Sequence, residues 1–330
     1  MVDIYFEPNY GKLYEEMESG ESIVYTFEHD YGKIQHMFIK REIPYSINNH
    51  TYFDSVTPYG YGGPVILEVT EGKERELVEA FEKEFEKYCI ENDIVSEFVR
   101  FHPIVGNYYP FKEVYNAYYM RKTVATSIEQ NVDPMASEFS KSTRKTIRRA
   151  LRNGVTYKIT PQPDDISVFL KIYYSTMDRN EASDYYYFDD EYFEKSLESF
   201  KENILLVEVL YEEQVISMGF YFIYNDIIHA HLSGTLTNYM NFSPAYVIKY
   251  ATAEWASKNN IKLIHYGGGT TNSPENSLYK FKKRFTKDTE FDFYIGKRIW
   301  NNDIYNKLCE ERNVDKNIDY FPAYRFDTSE

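Results

Sequence analysis

The stretch Tyr266–Phe285 reads YGGGTTNSPENSLYKFKKRF. It opens at the end of a predicted strand, Lys262–Tyr266, whose apolar residues are Leu263, Ile264 and Tyr266. Gly267, Gly268 and Gly269 follow, residues that accept backbone angles closed to other side chains and let a neighbouring group approach the main chain. A polar loop leads to a short helix, with Ser273 before Pro274 as its start signal. On that helix Leu278, Phe281 and Phe285 recur at helical spacing and are expected to pack inward. Lys280, Lys282, Lys283, Arg284 and Lys287 surround them. A strand end, a glycine turn and a cationic helix make a candidate seat for an anionic or carbonyl-bearing ligand. Solvated basic helices share this pattern, and glycine turns alone are weak signals.

The chain has 330 residues, 43% hydrophobic and 27% charged, the balance of an ordinary globular protein of two domains or one large one. Aromatic residues make up 18%, with 34 Tyr and 23 Phe, so the core holds many hydroxyls that need partners. A net charge of −15 argues against wrapping DNA, because phosphate contacts dominate such binding; a local basic patch remains able to hold one RNA end. Cys89 and Cys309 have no metal-type spacing, so no zinc site or disulfide framework is expected. The start, MVDIYFEPNYGKLYEE, lacks the pattern of a signal peptide, and no window nears the ~20 apolar residues that span a bilayer. A cytoplasmic protein is expected.

Before the opening stretch the chain reads as alternating strands and helices. Ser22–Glu28 and Ile34–Ile39 form a predicted hairpin. The run from Tyr52 to Pro64, rich in Gly and Pro, is read as a loop. Tyr59 and Tyr61 are candidates there for an aromatic wall, with Asp54 at a rim. Val65–Thr70 reads as a strand, Lys73–Asn92 as an amphipathic helix and Ile94–Phe101 as a strand ending at Arg100 and His102. Arg100 and His102 are candidates for the same cleft, although local pairing explains such residues as readily. Lys122–Ile128 is a predicted strand. Glu138–Asn153 is a predicted helix stopped by Gly154. It carries Lys141, Arg144, Lys145, Arg148, Arg149 and Arg152, the sharpest local charge anomaly in an acidic chain.

The pattern then restarts. After Val155–Ile159 come helices opened by Asp164/Asp165 and by Asp189. Strands Ile204–Tyr211, Val215–Tyr224 and Ile227–Ser233 follow, antiparallel because their turns are short. A helix is capped by Ser243 with Pro244 in its first turn. Then come the opening stretch, a strand Phe291–Ile295, and a tail helix Asn302–Arg312. His229 and His231 fall on one face of their strand by alternation.

The order over 155–297 resembles the GNAT acyltransferase fold, and the first half is a weaker echo of it. Two such units in one chain resemble the Fem family of aminoacyltransferases, which build peptidoglycan cross-bridges from aminoacyl-tRNA. SLYKFKKRF, residues 277–285, is similar to the family's aromatic-x-Phe-Lys helix, and Gly267–Gly269 to its glycine turn. STRKTIRRALRNGV, residues 142–155, resembles its basic inter-domain helix. Asp54–Pro64 and FVRFHP, residues 98–103, resemble segments of shorter Fem-like proteins. The long coiled-coil insertion of some members is absent. The loop TNYMNFSPA, Thr237–Ala245, lacks the glycines with which acyl-CoA enzymes usually meet pyrophosphate.

The expected fold is therefore α+β: two tandem GNAT-like units at 1–154 and 155–300, mixed mainly antiparallel sheets flanked by helices, and a tail at 301–330. The resemblance implies amide-forming transfer from aminoacyl-tRNA to an amine of a cell-wall precursor. In that reading Lys282 and Phe281 are catalytic, and Asp54, Tyr59, Tyr61, Arg100, His102, Arg144, Arg148, His231 and Gly268 are candidates for substrate contact. Asp54 or His231 is a candidate proton acceptor. No metal or cofactor is implied, and tRNA is a candidate partner. An acyl-CoA-dependent N-acyltransferase and a non-catalytic binding protein are the alternatives.

Overall fold

A computed structural model describes residues 2–130 and 132–327; residues 328–330 of the expected tail lie outside them. The strands run β1 (Gly20–His29), β2 (Gly32–Glu42), β3 (Phe53–Val56), β4 (Val65–Val69), β5 (Ile94–Arg100), β6 (Tyr118–Ser127), β7 (Thr156–Pro161), β8 (Ile204–Tyr211), β9 (Gln214–Tyr224), β10 (Ile227–Thr235), β11 (Leu263–Gly267) and β12 (Glu290–Ile299). The helices are α1 (Pro8–Lys12), α2 (Glu74–Glu91), α3 (Tyr108–Phe111), α4 (Pro134–Ser137), α5 (Lys141–Arg152), α6 (Ser167–Arg179), α7 (Asp190–Phe200), α8 (Pro244–Ala256), α9 (Ser277–Lys283) and α10 (Asn302–Glu311).

The chain forms two compact units, residues 1–120 with 292–330, and residues 121–291. These boundaries differ from 1–154, 155–300 and 301–330. The physical reason is where apolar faces find partners. Helix α5 buries Ile147 and Ala150 in a core with Val207, Val247 and Ile264, so it belongs with the second unit. The chain's last part returns to the first, where Trp300 packs with Phe85 and Tyr115.

In the first unit the strand order is β1-β2-β3-β5-β12, with β4 beside β2. The β1–β2 hairpin pairs Ser22 with Ile39 and Phe27 with Ile34. Strand β3 lies inside the run read as a loop: it pairs antiparallel with β2 and parallel with β5. Helix α2 covers this sheet with Leu77, Val78, Phe81 and Phe85, the predicted stripe.

The same unit shows why Asp54 is no rim residue. It is 1% exposed and sits opposite Arg41 in the β2–β3 register. Its carboxylate accepts from Arg41 Nε at 2.9 Å, from Tyr324 Oη at 3.2 Å and from Arg325 Nε. A carboxylate saturated with cationic donors is a structural charge pair.

The second unit orders its strands β6-β11-β10-β9-β8-β7. Strands β7 to β10 are antiparallel neighbours, as the short turns require. Helix α8 then carries the chain to β11, parallel to β10. Parallel neighbours need such a crossover. The β10–β11 register covers Ile227↔Leu263, Ile228↔Ile264 and His229↔His265, after which both strands run on without pairing to each other. His231 is the extra residue in a bulge of β10, since Ala230 faces Tyr221 and Leu232 faces Phe220. Alternation therefore breaks there, and His229 and His231 do not share a regular face. Both units are mixed sheets flanked by helices, the α+β class expected. No helix among the described residues is long and apolar enough to cross a membrane.

Replacing Asp54 by Ala leaves Arg41 and Arg325 facing a desolvated hole, and removing one member of a buried pair typically costs about 3–5 kcal/mol. The expected result is a lower urea midpoint for D54A at unchanged slope. A midpoint equal to that of the wild type would contradict the structural role given to this carboxylate.

Candidate active site

The carboxyl end of β11 turns sharply at Gly267, whose φ is +71°, a left-handed conformation that disfavours side chains. Gly268 and Gly269 then run too close to neighbours to carry a Cβ. At Gly268 it would lie 2.9 Å from Arg121 Cδ, and at Gly269 2.5 Å from Asn276 Oδ1. Asn276 is the cap of α9, accepting the Tyr279 N–H at 3.1 Å. Ser273, the start signal read from the sequence, instead accepts the Glu275 N–H in the preceding turn at 3.2 Å. The helix therefore begins at Ser277.

Helix α9 is fixed by Phe281 and Phe285. Phe285 is fully buried, and Phe281 stacks edge-on against it at 5.1 Å and against Tyr246 at 5.2 Å. Leu278 is 38% exposed, so the inward stripe is narrower than the spacing predicts. The helix is too short to bury all three positions. Of its basic residues, Lys280 and Lys283 pair outward with Glu275 and Glu290. Arg284 donates to Tyr246 Oη at 2.8 Å.

Lys282 is different. It is partly buried, and its Nζ donates to the Gly268 carbonyl at 2.6 Å. No carboxylate pairs with it among the described residues. Burial, with the Arg121 guanidinium as a second cause, pushes its amine down to about 8. Arg121 donates to the next carbonyl, Gly269 O, and its Nε is buried without a hydrogen-bond partner. Lys249 of α8 is a third basic side chain in this environment, its amine pushed down to about 7 by burial and then by Lys282. A desolvated ammonium held on a strand-end carbonyl, among like charges, suits a place where negative charge develops.

The other candidates are distributed differently. Gly268 lies in this site. His231 donates to or accepts from Tyr192 Oη at 2.7 Å between Phe188, Phe220 and Phe222. Burial and then His229 push it down to about 3, which leaves it neutral at pH 7 and a weak base. Arg144 Nη1 ties the carbonyls of Ala136 and Phe139 at 2.8 and 3.2 Å, holding α4 and the turn before α5. Arg148 is exposed, and so are Lys141, Lys145, Arg149 and Arg152; none of these has an ion pair among the described residues. The first-unit candidates are knit into their own packing. Arg100 Nη1 donates to the Thr57 carbonyl at 2.8 Å. His102 is 1% exposed, and its Nδ1 accepts the Ile104 and Val105 N–H groups. Tyr61 packs on Tyr5, His102 and Phe293. Tyr59 stacks on Tyr14, and its carbonyl accepts from Tyr10.

Sequence reasoning missed Arg121 and Lys249. Arg121 gives no local signal. Lys249 does give one, a single lysine inside the apolar helix PAYVIKYATAEWA.

Residues 137–283 match the family model described as an acetyltransferase (GNAT) domain. The chain is 24% identical over 176 residues to UDP-N-acetylmuramoylpentapeptide-lysine N(6)-alanyltransferase of Weissella viridescens; the match takes in 52% of this chain and 51% of that one, so the chain spans about half the length of the curated relative. Among solved structures, FemX aligns with 92% of this chain and 94% of its own at 14% identity and a TM-score of 0.67. L-PGS from Bacillus licheniformis aligns with 89% and 92% at 13% identity and a TM-score of 0.51. Residues 137–283, Lys282 among them, are thus similar to a GNAT acetyltransferase domain, and the chain shares the fold of FemX.

Proposed function

We propose that this acyltransferase moves an aminoacyl group from aminoacyl-tRNA to an amine of a peptidoglycan precursor. The observation that carries the reading is the Lys282 ammonium on the Gly268 carbonyl, paired with no carboxylate among the described residues. Attack of an amine on the donor's ester carbonyl creates an oxyanion, and a desolvated cation stabilises that charge more than it stabilises the neutral ester. With its amine near 8, Lys282 remains largely protonated at neutral pH. Phe281 seats the helix, and Gly268 gives the carbonyl that aims the ammonium. The relative from Weissella is named for alanyl transfer to a lysine N(6), which makes a lysine-bearing muramoyl pentapeptide the acceptor to test first.

The cations of α5 that have no ion pair among the described residues supply the electrostatics for the donor. Exposed Lys141, Lys145, Arg148, Arg149 and Arg152 lie along one short helix of an otherwise acidic chain. Such a face attracts phosphodiesters and releases counterions when it binds them.

The start of α8 disfavours the acyl-CoA alternative. The residues before it, Thr237–Phe242, form a 3-10 turn without glycine. Pro244 lacks an N–H, and the Tyr246 N–H is already given to the Ser243 carbonyl at 3.1 Å. A pyrophosphate there finds fewer free donors than a glycine-rich turn provides.

Lys282→Ala is expected to lower kcat by about 100- to 1,000-fold with little change in KM, the signature of a group that acts on the transition state. The assay is transfer of labelled alanine from alanyl-tRNA to a muramoyl pentapeptide; turnover with acetyl-CoA and none with alanyl-tRNA would overturn the donor assignment. Replacing Arg148 and Arg149 by Ala is expected to flatten the dependence of log affinity for tRNA on log salt by about 0.7–0.9 per lost phosphate contact. An unchanged slope would remove α5 from the binding surface.

A further inference from the structure

Helix α8 is packed on the sheet through Val247, Ile248, Ala251, Thr252, Ala253 and Ala256. Lys249 sits within this apolar sequence, near enough to Lys282 to feel its charge. Its Nζ lies 4.5 Å from the centre of the Tyr266 ring and 5.3 Å from that of Tyr221, and it reaches Tyr221 Oη at 3.4 Å. Tyr266 is the residue just before the glycine turn, and Gly268, two residues on, holds Lys282. The two amines are therefore anchored to the same strand end from two helices.

The carboxylates on elements packed against α8 are committed elsewhere. Glu254, on α8 itself, takes Lys258 at 2.7 Å, Glu208 takes Lys158 at 3.1 Å, Asp133 caps α4 by accepting the Met135 N–H at 2.9 Å, and Glu138 accepts the Lys287 N–H at 3.1 Å while its charge also acts on the Tyr266 phenol. From β10, His231 faces Tyr192 and is neutral. What faces Lys249 is thus Tyr221, Tyr266 and the positive charge of Lys282. The Tyr266 hydroxyl is spoken for: Thr126 Oγ1 donates to the Phe285 carbonyl, so Tyr266 donates to Thr126. Burial pushes both phenols up, and they keep their protons. The amine of Lys249 is the titratable group left next to Lys282.

We propose that Lys249 is the proton-transfer group of the amide-forming step, a role that neither Asp54 nor His231 is placed to fill. The inference rests on the acyl-transfer reading of Lys282. The neutral acceptor amine attacks the donor's ester carbon; the C–N bond forms and the carbonyl electron pair moves to oxygen, opposite the Lys282 ammonium. The nitrogen, now cationic, gives one proton to the Lys249 amine. The intermediate collapses, the C–O bond breaks, and the departing oxygen takes that proton from the Lys249 ammonium. The products are an amide and an alcohol, and Lys249 returns to its neutral form. The division of labour follows from electrostatics: Lys282 beside Arg121 stays charged to about 8, and its charge together with burial holds Lys249 neutral from about 7. Proton transfer by a positioned group is worth about 100- to 10,000-fold.

The wild-type enzyme is labelled with trace acetic anhydride across pH 5 to 11, and each lysine is read by mass spectrometry. Lys249 is expected to reach half-reactivity near 7, well below the exposed lysines. In transfer assays Lys249→Met, its folding checked by thermal melting, is expected to lose about 100- to 10,000-fold in kcat and the acid limb of the pH profile. Lys249→Arg, fixed in its charged form, is expected to be equally slow. Lys249 titrating with the surface lysines, or K249M retaining both limb and rate, would overturn the inference. Failure of the acyl-transfer reading looks different: no turnover by the wild type, whatever the labelling of Lys249, which still decides whether this amine is free to accept a proton at neutral pH.

Discussion

A partly buried ammonium that meets no carboxylate among the described residues is an expensive group to fold around, and the second unit is built to hold one. Transferring a charge out of water costs several kcal/mol even after relaxation. Here the compensation comes from dipoles: the Gly268 carbonyl for Lys282 and the Gly269 carbonyl for Arg121. Both carbonyls are exposed to these donors because Gly267 turns the chain at positive φ and because no Cβ stands in the way. The helix cap Asn276 is pressed against Gly269, which ties the start of α9 to the turn that its own lysine grips. Strand end, turn and helix therefore cannot be varied separately.

The first unit treats charge in the opposite manner. Asp54 is as deeply buried as any catalytic carboxylate, yet Arg41, Tyr324 and Arg325 surround it. His36 and Glu97 are likewise buried together, with Trp300 Nε1 donating to the carboxylate at 3.2 Å. A carboxylate met by its donors in this way fixes structure and leaves no anion for a substrate to pair with. Incomplete pairing, as at Lys282, leaves an electrostatic demand that an anionic transition state can satisfy. The same criterion divides the arginines of the basic segment, since Arg144 is spent on the carbonyls of Ala136 and Phe139 while Arg148 is exposed and has no ion pair among the described residues.

What the sequence made legible was local. The strand end, the glycine turn and the aromatic-x-Phe-Lys helix are contiguous, so their spacing reports their geometry. The alternation of β7 to β10 and the crossover through α8 are likewise written in short-range periodicity and turn length. What escaped depends on residues far apart in the chain. Arg121 meets Gly269 across 148 positions, and Lys249 meets Tyr221 across 28. The bulge at His231 shows only when β9 is laid beside β10. The unit boundaries depend on Trp300 finding the core of Phe85 and on α5 finding that of α8, contacts that no window of sequence contains.

The pH dependence of such a site runs against that of ordinary ion pairs. Lys282 and Lys249 have folded values near 8 and 7, below the usual lysine value that holds in the unfolded chain. Between those folded values and the unfolded one, the unfolded chain binds more protons, so stability rises with pH through that window. Below about 7 both amines are charged in either state, and their burial penalty is then at its full size. The site is thus least comfortable for the fold in the range where Lys282 is a full cation, and it becomes comfortable only as the ammonium needed opposite the oxyanion disappears. An arrangement that lowers stability where its chemistry is best is what functional strain in electrostatic form looks like. The aromatic packing around it, Phe285 with Phe139, Tyr246 and Tyr266, is apolar burial that does not titrate with these amines and so holds the turn in place across that range.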